Sequence, residues 1–333
     1  MIKKLAPFLF IVFTILLLSA CFKAYRSKIR IDGSSTVYPV TEAVAEEYRA
    51  EHGDVKLTVG VSGTGGGLRK LARHEIEIAN ASRPISRGEI GLCRKNGVEF
   101  IELPVCYDGI VIVVNPENDF VDYLSVSELK KIWEPAAQGR IRTWKQVRDT
   151  WPDKPLHLYG AGTSSGTYDY FTEAINGTAH SSRGDYTASE DDNVLVQGVS
   201  GDRHALGYFG LAYYLENKNI LRLIPVKNDR VAGPQEAVYP NDSTIMQGLY
   251  SPLARPEFMY VNLEAAKREE VKEFIRFYMQ HAGKLVRELG YIPFPEQGYR
   301  LIQQRFDAQH RGSLFEHRSH VGMNMMDFLK EAE

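Results

Sequence analysis

Three times along the chain an apolar strand pattern runs into a loop of glycines and hydroxyl residues, and the loop then opens a helical pattern. Ile29 and Ile31 lead into DGSSTVYP, after which Val37, Val40, Val44 and Tyr48 recur at helical spacing. VKLTVGV places Val55, Leu57, Val59 and Val61 on one side of a strand and ends in SGTGGG, before Leu68, Leu71 and Ala72 share a helix face. LHLYG precedes AGTSSGT, and Tyr168, Phe171, Thr172 and Ile175 follow as a helix face. Between these units IEIANAS reads as a further strand ending in Ser82, and GIVIVVNP, Gly109 to Pro116, is apolar without alternation, as a central strand is. Such alternation predicts an α/β fold with parallel strands buried on both faces.

Four loops therefore stand at strand ends: Gly33 to Thr36, Ser62 to Gly67, Ala81 to Pro84 and Gly162 to Thr167. Ligands of open α/β sheets bind at that edge, and glycines let backbone N–H groups approach them. Helix starts carry unpaired N–H groups and partial positive charge, which attract oxyanions. Ser35, Thr36, Ser62, Thr64, Ser82, Ser165 and Thr167 add hydroxyl donors, and Arg83 adds a fork of N–H groups. A single helix cap needs one hydroxyl and contributes about 1 kcal/mol. GSST, SGTGGG and GTSSGT each hold several, and that surplus favours a shared anion site over capping alone. The fourth loop resembles a nucleotide P-loop, but Gly166 stands where the lysine would be.

The N-terminus reads as an export signal: Lys3 and Lys4, an apolar run to Leu18, then LSAC. LSAC resembles a bacterial lipobox, which implies cleavage after residue 20 and a lipid on Cys21, making an extracytoplasmic protein anchored by lipid without a membrane-spanning helix. Cys93 and Cys106 then remain and read as buried, unpaired thiols. The net charge of −2 becomes more negative once Lys3 and Lys4 are removed, which argues against a nucleic-acid partner. The mature chain is long enough for two lobes. Trp133, Trp144 and Trp151 are expected as core anchors.

IDGSSTVYPVTEAVAEEY, VGVSGTGGG, ASRPIS, VVNPEN, GTSSGTYDYFTEAI, ALGYFGLAYY and LARPEFMYVN, in this order, resemble the periplasmic phosphate-binding protein of the phosphate ABC importer, the PstS family. The resemblance covers essentially the whole mature chain. It implies a type II periplasmic-binding fold of two α/β lobes with the ligand between them: lobe one from 21 to 108 and from 226 to 333, lobe two from 109 to 225, after a signal segment 1–20. It further implies a monomer that binds inorganic phosphate, hands it to the permease subunits of an ABC transporter and needs no cofactor. Carried over by position, the ligand residues are Ser35, Thr36, Ser62, Gly63, Thr64, Ser82, Arg83, Ser165, Gly166 and Thr167.

Two departures stand out. Many members have an aspartate after the serine of the third loop, where it accepts the ligand's proton, and here the residue is Arg83. The family's arginine before the lobe-two loop is replaced by Tyr159, Gly160 and Ala161. Arg83 is expected to substitute for that arginine, while Asp108 and Asp169 are the candidates for the acceptor. Binding of another tetrahedral oxyanion is the alternative reading, and so is a phosphate-ester hydrolase. Hydrolysis would require a base or metal beside a nucleophile. The loops contain no histidine, and His310, His317 and His320 read as solvated surface, so neither an enzyme nor a metal site is expected.

Overall fold

The computed structural model describes residues 27–233, 236–316 and 330. The expected signal segment, Cys21, His317 and His320 lie outside these residues. Among the described residues no helix is long and apolar enough to cross a membrane.

The first repeated units form β1 (Ser27–Gly33), α1 (Tyr38–Glu51), β2 (Val55–Val61), α2 (Thr64–Leu71), β3 (Ile78–Ala81) and α3 (Arg87–Lys95). β1 pairs in parallel with β2 on one side and β3 on the other, so three loop-bearing strand ends share one edge. The helix faces are those the periodicity marks: Val40, Val44 and Tyr48 in α1, Leu68 and Leu71 in α2. In β2 the alternation holds at Val55 and Leu57 but fades toward the loop, where Val61 is 53% exposed.

The apolar run at Gly109 is the second half of a longer strand, β4 (Phe100–Val114), buried along all fifteen residues. At roughly 3.3 Å per residue it spans about 50 Å, enough to serve both lobes. Phe100 to Gly109 pair antiparallel with the later strand β11 (Ala254–Asn262), and Ile110 to Val114 pair antiparallel with β8 (Ala205–Gly210). The partner changes between Gly109 and Ile110, one residue beyond the boundary expected between 108 and 109.

Beyond β4 come β5 (Leu124–Ser125), α4 (Val126–Trp133), α5 (Trp144–Val147), β6 (His157–Ala161), α6 (Gly166–Asn176), β7 (Thr187–Ser189), α7 (Asp192–Gly201), β8, α8 (Leu211–Asn217), β9 (Arg222–Ile224), β10 (Val226–Lys227) and α9 (Asp242–Met246). β11, α10 (Glu269–Glu288) and α11 (Glu296–Asp307) complete the order. The strands run β2-β1-β3-β11-β4-β8-β6-β7, with β9 also on β4. The sheet is mixed where parallel strands are expected, because the two long strands β4 and β11 run antiparallel to their neighbours. Near the expected boundary at 226, Val226 and Lys227 pair with Leu124 and Ser125, and strand pairing with β4 resumes at Ala254, opposite Gly109.

Core packing follows burial of aromatic area. In lobe one Tyr48 meets Phe274 and Phe277 of α10 edge-on. In lobe two Trp133 meets Phe171, Tyr186 and Tyr208 edge-on, with Phe171 stacked on Tyr208 at 3.8 Å. Trp144 and Trp151 pack against each other and Phe120, so all three tryptophans are core residues. Cys93 and Cys106 are buried free thiols, and burial pushes Cys93 up to about 11. The Trp133 indole N–H is buried without a hydrogen-bond partner. Trp133→Ala is therefore expected to cost about 3–5 kcal/mol in urea unfolding, whereas Trp133→Phe costs far less because it also removes the unpaired donor.

Candidate functional site

In the first loop the backbone forces the chemistry. Gly33 has φ +144°, and a Cβ there would lie 2.1 Å from Asn80 O. In the turn before α1 the buried Oγ of Ser34 accepts from the N–H groups of Thr36 and Val37 at 3.2 and 3.4 Å. Ser35 and Thr36 are thus left over, and both line a small cavity between the lobes.

The lobe-two loop enters the same cavity. Ser165 caps α6 by accepting from Thr167 N–H at 3.1 Å, and Ser165 and Thr167 line the cavity wall. Glu190 accepts from Ser164 N–H at 3.0 Å and holds the loop from behind. Thr64 and Ser82 meet the start of α6 from lobe one. Their hydroxyls lie 3.0 Å apart, and a Cβ on Gly166 would stand 1.8 Å from Ser82 Oγ. Only glycine fits between them.

The remaining expected ligand residues are placed differently. Ser62 hydrogen-bonds Asp32, which Lys70 also holds at 2.7 Å. Gly63 has φ +75° and faces the Ser164 carbonyl. Arg83 turns away from the small cavity: its fork binds Glu89 at 2.9 and 3.1 Å, and its Nε lies 3.9 Å from Asp169. Asp169 also sits 3.4 Å from His180. Burial raises the Asp169 carboxyl, while His180 and Arg83 draw it back down.

The arginine at the start of α6 is one the sequence reading misses. Arg255 of β11 is fully buried, donates from Nη1 to Gly166 O at 2.9 Å and from Nη2 to Thr167 Oγ1 at 3.0 Å, and binds Asp108 Oδ2 from Nε and Nη2 at 3.2 and 2.7 Å. Glu257 Oε1 lies 2.9 Å from its Nε as an ion pair without hydrogen-bond alignment. Burial alone would lower the Arg255 pKa, but Glu257 and Asp108 more than offset this and hold it above the ordinary value. The signal was present in LARPEFMYVN, where Arg255 and Glu257 stand two residues apart at the start of a strand that continues as the apolar run Phe258 to Val261. Since Arg255 occupies a lone pair of Thr167 Oγ1, the threonine O–H is free to donate elsewhere.

The cavity lined by Ser35, Thr36, Ser165 and Thr167 is also lined by Asp108 and Asp192, and its volume is about 60 Å³. A water needs roughly 10–15 Å³, so a small inorganic ion fits and a ligand needing a pocket of about 300–1,000 Å³ does not. A larger cavity of about 630 Å³, lined by Arg83, Glu173, His180 and Phe315 among others, includes none of these four hydroxyl residues. Size would favour it, but the convergent donors favour the small one. Asp192 opens α7 with burial and the neighbouring Asp108 charge pushing its carboxyl up to about 7. From sequence it is indistinguishable from the capping Asp191 beside it. Among the described residues no group of three His, Cys, Asp or Glu side chains is arranged to hold a metal.

A profile described as the PBP superfamily domain matches residues 23–281. The chain is 48% identical over 307 residues to Protein SphX of Synechococcus elongatus, covering 92% of this chain and 89% of that protein. It is 37% identical over 273 residues to the phosphate-binding protein PstS of Staphylococcus aureus, covering 81% and 79%. Among solved structures, a possible phosphate-binding protein from Planctomyces limnophilus superposes with a TM-score of 0.69 at 45% identity, over 85% of this chain and 98% of that one. A putative phosphate ABC transporter substrate-binding protein with bound phosphate, from Clostridium perfringens, gives a TM-score of 0.63 at 25% identity, over 80% and 100%. With matches of this identity along four fifths or more of its length, the chain belongs to the PBP superfamily and, within it, to the PstS family of periplasmic phosphate-binding proteins.

Proposed function

We propose that this chain is the extracytoplasmic phosphate-binding component of an ABC phosphate importer, closing two lobes on inorganic phosphate and presenting the closed form to the permease. The observation that carries this reading is the small cavity in which Ser35 and Thr36 of one lobe meet Ser165 and Thr167 of the other. Each lobe alone satisfies only part of an anion, so the ligand favours the closed arrangement. A lipid on Cys21 would keep a monomeric protein at the membrane surface beside its transporter. Ser165 Oγ is engaged as a helix cap, accepting from Thr167 N–H, which supports binding over nucleophilic hydrolysis.

Selectivity is assigned to the acidic wall. Of the two acceptor candidates read from sequence, Asp108 lines the cavity and Asp169 faces Arg83 and His180. A carboxylate acceptor favours an oxyanion that carries a proton and disfavours sulfate, because an acceptor facing an acceptor is left unpaired.

Calorimetric competition checks this: phosphate is expected to displace sulfate, and equal competition would remove the selectivity. Thr167→Val deletes one donor to a charged ligand and is expected to weaken phosphate binding by about 1.5–3 kcal/mol. In Gly166→Ala the new methyl group runs into Ser82 Oγ. Phosphate titration should then show little or no closure, and wild-type affinity in that variant would exclude the tight seam between Ser82 and α6 from the bound state.

A further inference from the structure

Asp192 has no task in hydroxyl-based anion binding, yet it lines the same cavity. It faces Asp108 across Gly210: a Cβ placed on Gly210 would lie 3.8 and 3.9 Å from the Asp108 carboxylate oxygens and 3.9 Å from Asp192 Oδ2. The surrounding groups are few. The Gly210 N–H donates to Asp192, Asp191 precedes it on its own helix, and Arg255 acts on it from β11. Tyr208 of β8 and Tyr213 of α8 lie within its electrostatic reach, and Glu190 shares the cavity wall. Arg255 cannot neutralise both aspartates closely, since its donors are committed to Asp108, Gly166 and Thr167. Burial and the Asp108 charge already bring Asp192 to about 7. An oxyanion in 60 Å³ of space adds a further like charge beside it, which disfavours the ionised carboxylate more.

We propose that Asp192 takes up a proton from solvent as the oxyanion enters and presents its carboxyl O–H to the cavity, so that it is a ligand-binding residue that ties affinity to pH. The inference rests on the oxyanion reading. Its sign follows from linkage: a ligand that raises a carboxyl pKa binds together with a proton, so affinity falls as pH rises from about 7 toward the raised value and levels off beyond it. Below about 7 the group is already protonated and the coupling disappears.

The test is titration of the mature protein with inorganic phosphate in pairs of phosphate-free buffers that differ in ionisation enthalpy, between pH 6.5 and 9. The proton count supplied by free phosphate's own ionisation is measured separately and subtracted. Wild type is expected to show net proton uptake that is largest above pH 7, and an affinity that falls with pH by up to about tenfold per unit more steeply than that of Asp192→Asn. Equal proton counts and equal pH slopes in the two proteins would overturn the assignment. Should the variant fail to fold in a thermal melt, the wild-type count decides alone, and a value of zero across the range overturns it. Absence of any phosphate binding would overturn the oxyanion reading itself, a result distinct from binding without proton uptake.

Discussion

The buried charge of Arg255 is the constraint around which the site is arranged. Removing a guanidinium from water costs several kcal/mol unless its donors are matched. Here Asp108 and Glu257 lie on the paired strands β4 and β11, and the remaining donors reach the first residues of α6. Satisfying that one side chain therefore fixes the helix start of lobe two against β4 and β11. The same geometry aims Thr167 at the cavity, so stability and ligand geometry have one source.

A second consequence concerns charge balance. The cavity offers hydroxyl groups and a helix start to an anion, yet two carboxylates line it. Burial first, and then the charge of Asp108, disfavours the ionised form of Asp192, which therefore holds its proton more tightly. An acidic wall is compatible with an anion that carries a proton, and it weighs against one that carries none. Arg83 joins Glu89 and Asp169, whereas the guanidinium on the start of α6 is that of Arg255, held by Asp108.

Much of the fold was legible because its signals are short-range. Periodic apolar residues identified α1, α2 and β2 correctly, and of the residues in the hydroxyl-rich loops Ser35, Thr36, Ser165 and Thr167 line one cavity. Strand direction was less legible. Apolar runs report burial and not polarity of pairing, so the antiparallel β4 and β11 were missed. Arg83 was assigned from its place beside a ligand loop, but Glu89, six residues on, binds its fork first.

By itself the sequence determined the α/β class, the loops at the strand ends and the kinds of donor they offer, since backbone geometry and capping act over a few residues. It could not decide that Ser34 turns its hydroxyl onto backbone N–H groups while Ser35 and Thr36 line the cavity, nor that Arg255 binds the start of α6 and Asp192 lines the same cavity. Those outcomes depend on how charged side chains from strands distant in sequence find partners when water is excluded. Only the tertiary structure sets that pairing, because burial makes each unmatched charge costly and leaves few arrangements in which all are matched.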